Sequence, residues 1–224
     1  MKLELVNVTK SYNDGHKILK VIEDLSIVFE SSVQVAILGR SGIGKSTLLH
    51  MLGGLDKVTA GSIKINDQDI AKFTNDQLSD FRAKNVGFVF QFHHLLSDFS
   101  AQENVAMPLL IQGLNSIEAN QRAKEILDMV KLGDRLDHRP GELSGGEQQR
   151  VALARSLVHK PGIVLADEPT GSLDESTGRM VQDLLQDVSR QINATLVVVT
   201  HNKELAKSFD YVLEMKSGGI LSNV

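Results

Sequence analysis

The sequence predicts an α/β fold whose central sheet is parallel and covered by helices on both faces. Three observations carry this. Residues 163–166 and 196–199 are uniformly apolar runs, the pattern of strands buried on both sides. Apolar clusters alternate with polar helical stretches along most of the 224 residues. The apolar run 33–38 leads directly into a glycine-rich turn, after which Leu48, Leu49 and Leu52 take helical spacing.

The remaining elements follow in order. Residues 1–8 alternate apolar and polar as a strand does, and so do residues 62–66 and 86–90. The first 35 residues and residues 61–70 hold strands with no long helix between them, which implies an antiparallel layer beside the parallel core. Ser116 is placed to cap a helix whose apolar positions Ala123, Ile126, Leu127 and Val130 recur at helical spacing. Residues 147–158 read as a further helix, stopped by Pro161. From about residue 91 to residue 160 the pattern is mostly helical, implying an inserted helical lobe. There is no internal repeat or low-complexity segment, and the chain stops soon after its last predicted strand, so no appended regulatory domain is expected.

Composition removes several function classes. Hydrophobic residues make up 42% and charged residues 23%, which is ordinary for a globular domain. With 24 Lys and Arg against 28 Asp and Glu, the net charge is −4, the wrong sign for nonspecific nucleic-acid binding. Aromatic residues are 4% and Trp is absent, so a base-stacking surface is also unexpected. There is no cysteine, which excludes disulfides, thiol nucleophiles and thiolate metal sites. No run approaches the ~20 apolar residues of a spanning helix, and the N-terminus does not resemble a signal peptide.

The strongest chemical signal is Gly39-Arg40-Ser41-Gly42-Ile43-Gly44-Lys45-Ser46-Thr47, set between a strand and a helix. Its glycines let successive N–H groups wrap a phosphate chain, and the helix N-terminus adds its positive end. Lys45 would reach the β- and γ-phosphates and the Ser46 hydroxyl would bind Mg²⁺. Ile43 stands where a small residue is more usual; a β-branched side chain tolerates positive φ badly, so Ile43 is expected to keep negative φ. The second signal is Asp167-Glu168 at the C-terminal end of an apolar strand, where ligands sit in open α/β sheets. Asp167 can enter the Mg²⁺ shell, and Glu168 can orient and deprotonate a water attacking the γ-phosphate. The third is Leu143-Ser144-Gly145-Gly146-Glu147-Gln148-Gln149-Arg150, in which Ser144 caps a helix and two glycines bare its first N–H groups. One chain thus holds two phosphate-binding elements and one Lys45 loop, which suggests two chains sandwiching each nucleotide.

These residues resemble the ATP-binding cassette family, whose signature matches residues 143–148; the likeness extends over roughly residues 3–222. The resemblance implies a RecA-like P-loop NTPase core with an antiparallel β-subdomain (about 1–32 and 58–72) and an inserted α-helical subdomain (about 92–160), the whole of 1–224 forming one ATPase domain. It implies ATP and Mg²⁺ as cofactors, with Gly39 to Thr47 on one side of the nucleotide and Ser144, Gly145, Gly146 and Glu147 of a second copy on the other. Tyr12 matches the aromatic residue that stacks on adenine; a plain surface tyrosine in a strand is the alternative. Gln91 matches the glutamine that contacts Mg²⁺ and water and senses the membrane partner. Ser172-Leu173-Asp174 matches the segment crossing the dimer interface, with Ser172 in place of a frequent Asn. His201 matches the histidine that contacts the γ-phosphate. Glu168, His201 and Gln91 are thereby the expected catalytic residues, and Ser46, Gln91 and Asp167 the expected metal ligands.

No substrate site of its own is legible in the chain. Phe81, Phe88, Phe90, Phe92 and Phe99 fall within nineteen residues. Core packing explains some of them, whereas Phe92 onward falls where the family grips its membrane subunits. The segments Phe92-His93-His94-Leu95-Leu96 and Glu103-Asn104-Val105-Ala106-Met107-Pro108-Leu109-Leu110 resemble the lipoprotein-releasing branch of the family, with Ser97 where Pro is expected. His93 and His94 lack a third ligand at metal-binding spacing. The resemblance implies a homodimer at the cytoplasmic face of the bacterial inner membrane. There it would drive two integral membrane subunits, contacted near residues 91–99, that release lipoproteins toward the outer membrane. Membrane association would run only through those subunits. An exporter cassette of the MacB kind, or an FtsE-like cell-division ATPase signalling to cell-wall hydrolases, is the alternative. A DNA-repair type cassette would need coiled-coil insertions or a basic surface, and a P-loop kinase leaves Ser144 to Glu147 unexplained.

Overall fold

The computed structural model describes every residue except Asp14, His16, Ile220 and Val224. The chain begins with β1 (Leu3–Asn13), β2 (Ile18–Phe29), β3 (Gln34–Leu38), α1 (Lys45–Leu52), β4 (Ala60–Ile65), β5 (Gln68–Asp69) and α2 (Asn75–Asn85). There follow β6 (Val86–Val89), α3 (Ala101–Ile111), α4 (Ser116–Met129), α5 (Gly145–Leu157), β7 (Ile163–Asp167) and α6 (Glu175–Gln191). The last elements are β8 (Thr195–Thr200), α7 (Lys203–Ala206), β9 (Tyr211–Met215) and β10 (Leu221–Asn223). Two compact units result: Met1–Arg82 with Thr195–Val224, and Ala83–Ala194.

The first unit holds the expected antiparallel layer, in the order β2-β1-β4-β5. Leu3 and Leu5 of β1 face inward, then the phase slips at Asn7, whose φ is +48°, so that Val8 and Lys10 are the next buried residues. The β1–β2 register shifts at the same place, between Leu5 and Val8. A β-bulge does this: one extra residue turns every later side chain to the other face. The parallel part of this unit centres on β3, paired with β8 from Gln34 and Leu196 and with β9 from Val35 and Tyr211. β3 and β8 are buried at every residue, which accounts for the unbroken apolar runs 35–38 and 196–199 within them.

In the second unit β6 and β7 pair in parallel, starting from Val86 and Ile163. A Cβ on Gly87 would stand 2.2 Å from the Ser156 carbonyl oxygen, so α5 and β6 approach as closely as they do only because position 87 is glycine. Helices α3, α4 and α5 bury Val105, Leu109, Ala123, Leu127 and Leu153. Helix α6 buries Val181, Leu185 and Val188 along one face, each contributing on the order of 1.5–3 kcal/mol. The start of α4 differs from expectation. Asn115, rather than Ser116, is its cap, accepting from the Glu118 N–H at 2.9 Å, and Ser116 is the first helical residue. Both residues suit a cap, and asparagine caps at least as well as serine.

Candidate functional site

In the first unit, β3 ends at Leu38 and the chain turns through residues 39–44 into α1. The left-handed angles of the turn fall on Gly42, at φ 77°, and Gly44, at φ 109°. Ile43 is not among the residues of positive φ, as its branched side chain requires. Gly44 is also the N-cap of α1 and offers no side chain to the first N–H groups of that helix. Those donors, at the positive end of the helix, are thereby presented to an anion. Lys45 is buried, and its Nζ donates to the carbonyls of Gly39 at 2.8 Å and Arg40 at 3.2 Å, which places the ammonium inside the turn. Ser46 is exposed and Thr47 half-buried.

Tyr12, near the end of β1, is 42% exposed, and its hydroxyl donates to Asp56 Oδ2 at 2.6 Å. His201 is exposed immediately after β8. Its neighbours fix the backbone on both sides. The Thr200 hydroxyl accepts from the Asn202 N–H at 3.1 Å, and the Asn202 side chain caps α7 through the N–H groups of Glu204 and Leu205.

In the second unit, Asp167 is the last residue of β7 and Glu168 follows with φ +46°. The Gly171 N–H donates to the Glu168 carbonyl at 3.0 Å and closes a tight turn there. Gln91 leaves the neighbouring strand β6 by two residues. Its amide nitrogen lies 3.2 Å from where a Cβ on Gly171 would stand, so the Gln91 side chain packs against the turn that carries Glu168. Two adjacent parallel strands thus deliver Gln91, Asp167 and Glu168 to one end of the unit.

The start of α5 lies in the same unit. Ser144 caps it, accepting from the Glu147 N–H at 3.3 Å, while the Glu147 carboxylate accepts from the Ser144 N–H and hydroxyl, both at 2.8 Å. These two bonds hold the Glu147 carboxyl below its ordinary range, with Arg135 at 3.3 Å adding to the effect. Asp174 caps α6, and the Ser176 hydroxyl at 2.6 Å together with the Thr177 N–H at 3.0 Å holds its carboxyl well below the usual carboxylate range. A cleft of about 340 Å³ runs between these caps, lined by Ser144, Gly146, Glu147, Arg150, Asp174 and Met180.

Several residues essential to this arrangement were not read from the sequence. The His93 imidazole Nδ1 bonds the Gln149 amide oxygen, and the Gln149 amide nitrogen donates to the Phe90 carbonyl at 3.1 Å. Arg155 donates to the carbonyls of His94 at 2.7 Å and His93 at 2.9 Å. The segment after Gln91 is therefore pinned along α5, and the two histidines have local partners, His94 meeting the Phe90 ring edge-on. The phenylalanines divide as the sequence suggested. Phe88 and Phe90 stack on each other at 5.5 Å, whereas Phe92 is 67% exposed and Phe99 is also exposed. Lys10, Asp56 and Asn104 are also polar partners that local sequence pattern does not reveal.

The Ser46 hydroxyl in the first unit, and the Asp167 carboxylate and Gln91 amide in the second, offer hard oxygen atoms, the donor chemistry that suits Mg²⁺. Among the described residues there is no cluster of three His, Asp or Glu side chains that would cage a metal without a nucleotide.

A glycine turn entering an uncapped helix, with a buried lysine curled into it, and a strand ending in paired carboxylates define a nucleotide-hydrolysing protein. Residues 22–171 match the ABC transporter family, and the chain belongs to it as an ATP-binding, ATP-hydrolysing subunit. Its relatives include proteins named lipoprotein-releasing system ATP-binding protein LolD. That of Pseudoalteromonas translucida is 48% identical over 212 residues, covering 95% of this chain and 91% of that protein. That of Idiomarina loihiensis is 46% identical, covering 96% of this chain and 95% of that protein. The structure is that of an ABC ATPase cassette. It matches the dimeric post-hydrolysis state of the ATP-binding cassette MJ0796 bound to ADP and Pi with a TM-score of 0.91, at 37% identity, over 99% of this chain and 97% of that one.

Proposed function

We propose that this chain is the ATPase subunit of a complex that releases lipoproteins from the bacterial inner membrane toward the outer membrane. The reading is carried by identity of 45–48% to LolD proteins along 94–99% of the chain, which includes the segment after Gln91 where partners are gripped. Two copies close head to tail around two ATP molecules, with Gly39 to Thr47 of one copy and Ser144 to Glu147 of the other on each nucleotide. Tyr12 stacks on adenine, Lys45 and His201 meet the terminal phosphates, and Asp174 lies at the dimer interface. Ser46, Asp167 and Gln91 are the residues to hold Mg²⁺, which when bound neutralises phosphate charge. Glu168 takes a proton from the attacking water.

Two membrane subunits of the LolC and LolE kind would dock at the exposed apolar residues Phe92, Leu96 and Phe99. Among the described residues no helix is long and apolar enough to cross a membrane, so attachment at the cytoplasmic face would run through these subunits. Multi-acylated proteins do not leave a bilayer spontaneously, since each buried CH₂ holds them by about 0.8 kcal/mol. An ATP-driven extractor meets that need.

The test is a pull-down of tagged Glu168→Gln protein, with ATP, from detergent-solubilised native membranes. Two different multi-spanning partners with large periplasmic domains, accompanied by lipoproteins, are expected. A single partner found with activators of cell-wall hydrolases would move the function to cell division. Recovery of no membrane protein would undo the transport reading.

A further inference from the structure

Lysine is almost never buried without a reason, and Lys10 is only 7% exposed. The bulge at Asn7 turns it inward. Its Nζ donates to Asp56 Oδ1 at 2.6 Å and to the Lys57 carbonyl at 2.8 Å, and sits over the Tyr12 ring, 4.6 Å from its centroid. The other oxygen of the same carboxylate, Asp56 Oδ2, accepts the Tyr12 hydroxyl at 2.6 Å. A partly buried ion pair is poor value as a stabiliser, because desolvation offsets its attraction and an apolar pair would serve as well. What this one does is fix a ring. One face of Tyr12 is covered by the ammonium, its hydroxyl is tethered, and the side chain still exposes 42% of its surface.

We infer that Lys10 and Asp56 are positioning residues for nucleotide-base recognition, holding the Tyr12 ring ready to stack on adenine. This rests on the reading that Tyr12 receives the base. Stacking on an aromatic side chain is worth a good part of a nucleotide's affinity, and a ring held in advance loses no rotamer freedom on binding. The cation beneath the ring adds to its hold without occupying the face the base needs.

The test compares binding of ADP, which uses base and phosphate sites, with binding of pyrophosphate, which uses the phosphate site alone. Calorimetry on the full chain serves for both ligands. Tyr12→Ala is expected to weaken ADP binding about tenfold or more, the loss of one stacked base. Lys10→Met, Asp56→Asn and Tyr12→Phe are each expected to weaken it about three- to tenfold and to leave pyrophosphate unchanged. The Asp56→Asn, Tyr12→Phe double variant is expected to lose no more than Asp56→Asn alone, since that exchange already disturbs the tether to the tyrosine hydroxyl. Should Lys10→Met fail to fold, the exposed Tyr12→Phe site carries the measurement. If Tyr12→Ala binds ADP like the wild type, the adenine reading itself fails and the inference with it. If Tyr12→Ala weakens ADP while Lys10→Met and Asp56→Asn do not, the positioning role is overturned and the adenine reading stands. Equal loss of ADP and pyrophosphate affinity would also overturn it, by showing a general effect on the fold.

Discussion

Replacing Asn104 by alanine should cost this protein more than exchanging any polar residue of the segment between Gln91 and α3 that it supports. Asn104 is fully buried in α3. Its carbonyl oxygen accepts from the Leu96 N–H at 2.8 Å, and its amide nitrogen faces the carbonyls of Leu96, Phe99 and Ser100 at 3.0–3.1 Å. Two N–H groups cannot make three full bonds, so one is shared and the side chain is worth three hydrogen bonds rather than four. At about 1 kcal/mol for each bond lost, the variant should be destabilised by roughly 3 kcal/mol. Urea unfolding followed by circular dichroism measures this, since the sequence has no Trp to report by fluorescence. Asp98→Ala, at an exposed position of the same segment, is the comparison and should stay within about 0.5 kcal/mol of the wild type. The same loss should loosen the backbone that presents Leu96 and Phe99, weakening capture of membrane partners. A destabilisation below about 1 kcal/mol would refute the assignment of these bonds as the support of the segment.

Glu168→Gln should retain ATP binding while turnover falls by about 10²–10⁴-fold, and should accumulate an ATP-dependent dimer; phosphate release and light scattering check the two parts. Ser144→Arg, which fills the exposed start of α5, should leave ATP binding by the single chain intact and abolish dimer closure. An undiminished dimer by light scattering would count against the two-chain sandwich. Stability should also depend on pH through Glu147. Its folded carboxyl lies below the ordinary value of 4.5, so its contribution is present above that value and is lost as pH falls through the folded one. Glu147→Gln keeps a capping residue without the charge. It should be less stable than the wild type near neutral pH, with a flatter profile and the difference closing as pH falls through the acid range, read from urea midpoints.

The sequence was most informative where chemistry is local. Residues 39–47 needed no tertiary contact to be recognised, because the glycines, the lysine and the flanking apolar runs are contiguous and each answers to one backbone requirement. The Ser144 cap was legible for the same reason, with Glu147 three residues on completing the box. Asn115 and Ser116 are adjacent cap formers, and only the entry angle of the chain selects between them. Helix α2 went unread because Leu78 is its only buried residue, leaving no apolar period to detect. Lys10 and Asp56 lie 46 residues apart, and His93 and Gln149 lie 56 apart. The bulge at Asn7 defeats the simple alternation that would otherwise have placed Lys10 outside. Such partners are set by how elements pack, and no window along the chain contains both.

The left-handed conformation of Glu168 bears on how this protein can be altered. A glutamate held at φ +46° carries a backbone penalty on the order of 1 kcal/mol that glycine escapes and asparagine lessens. Thermostability selection applied to this chain alone would thus enrich substitutions at the residue proposed to drive hydrolysis. Heat-resistant variants obtained that way would include dead enzymes, and a library screened for ruggedness would need turnover as its second gate.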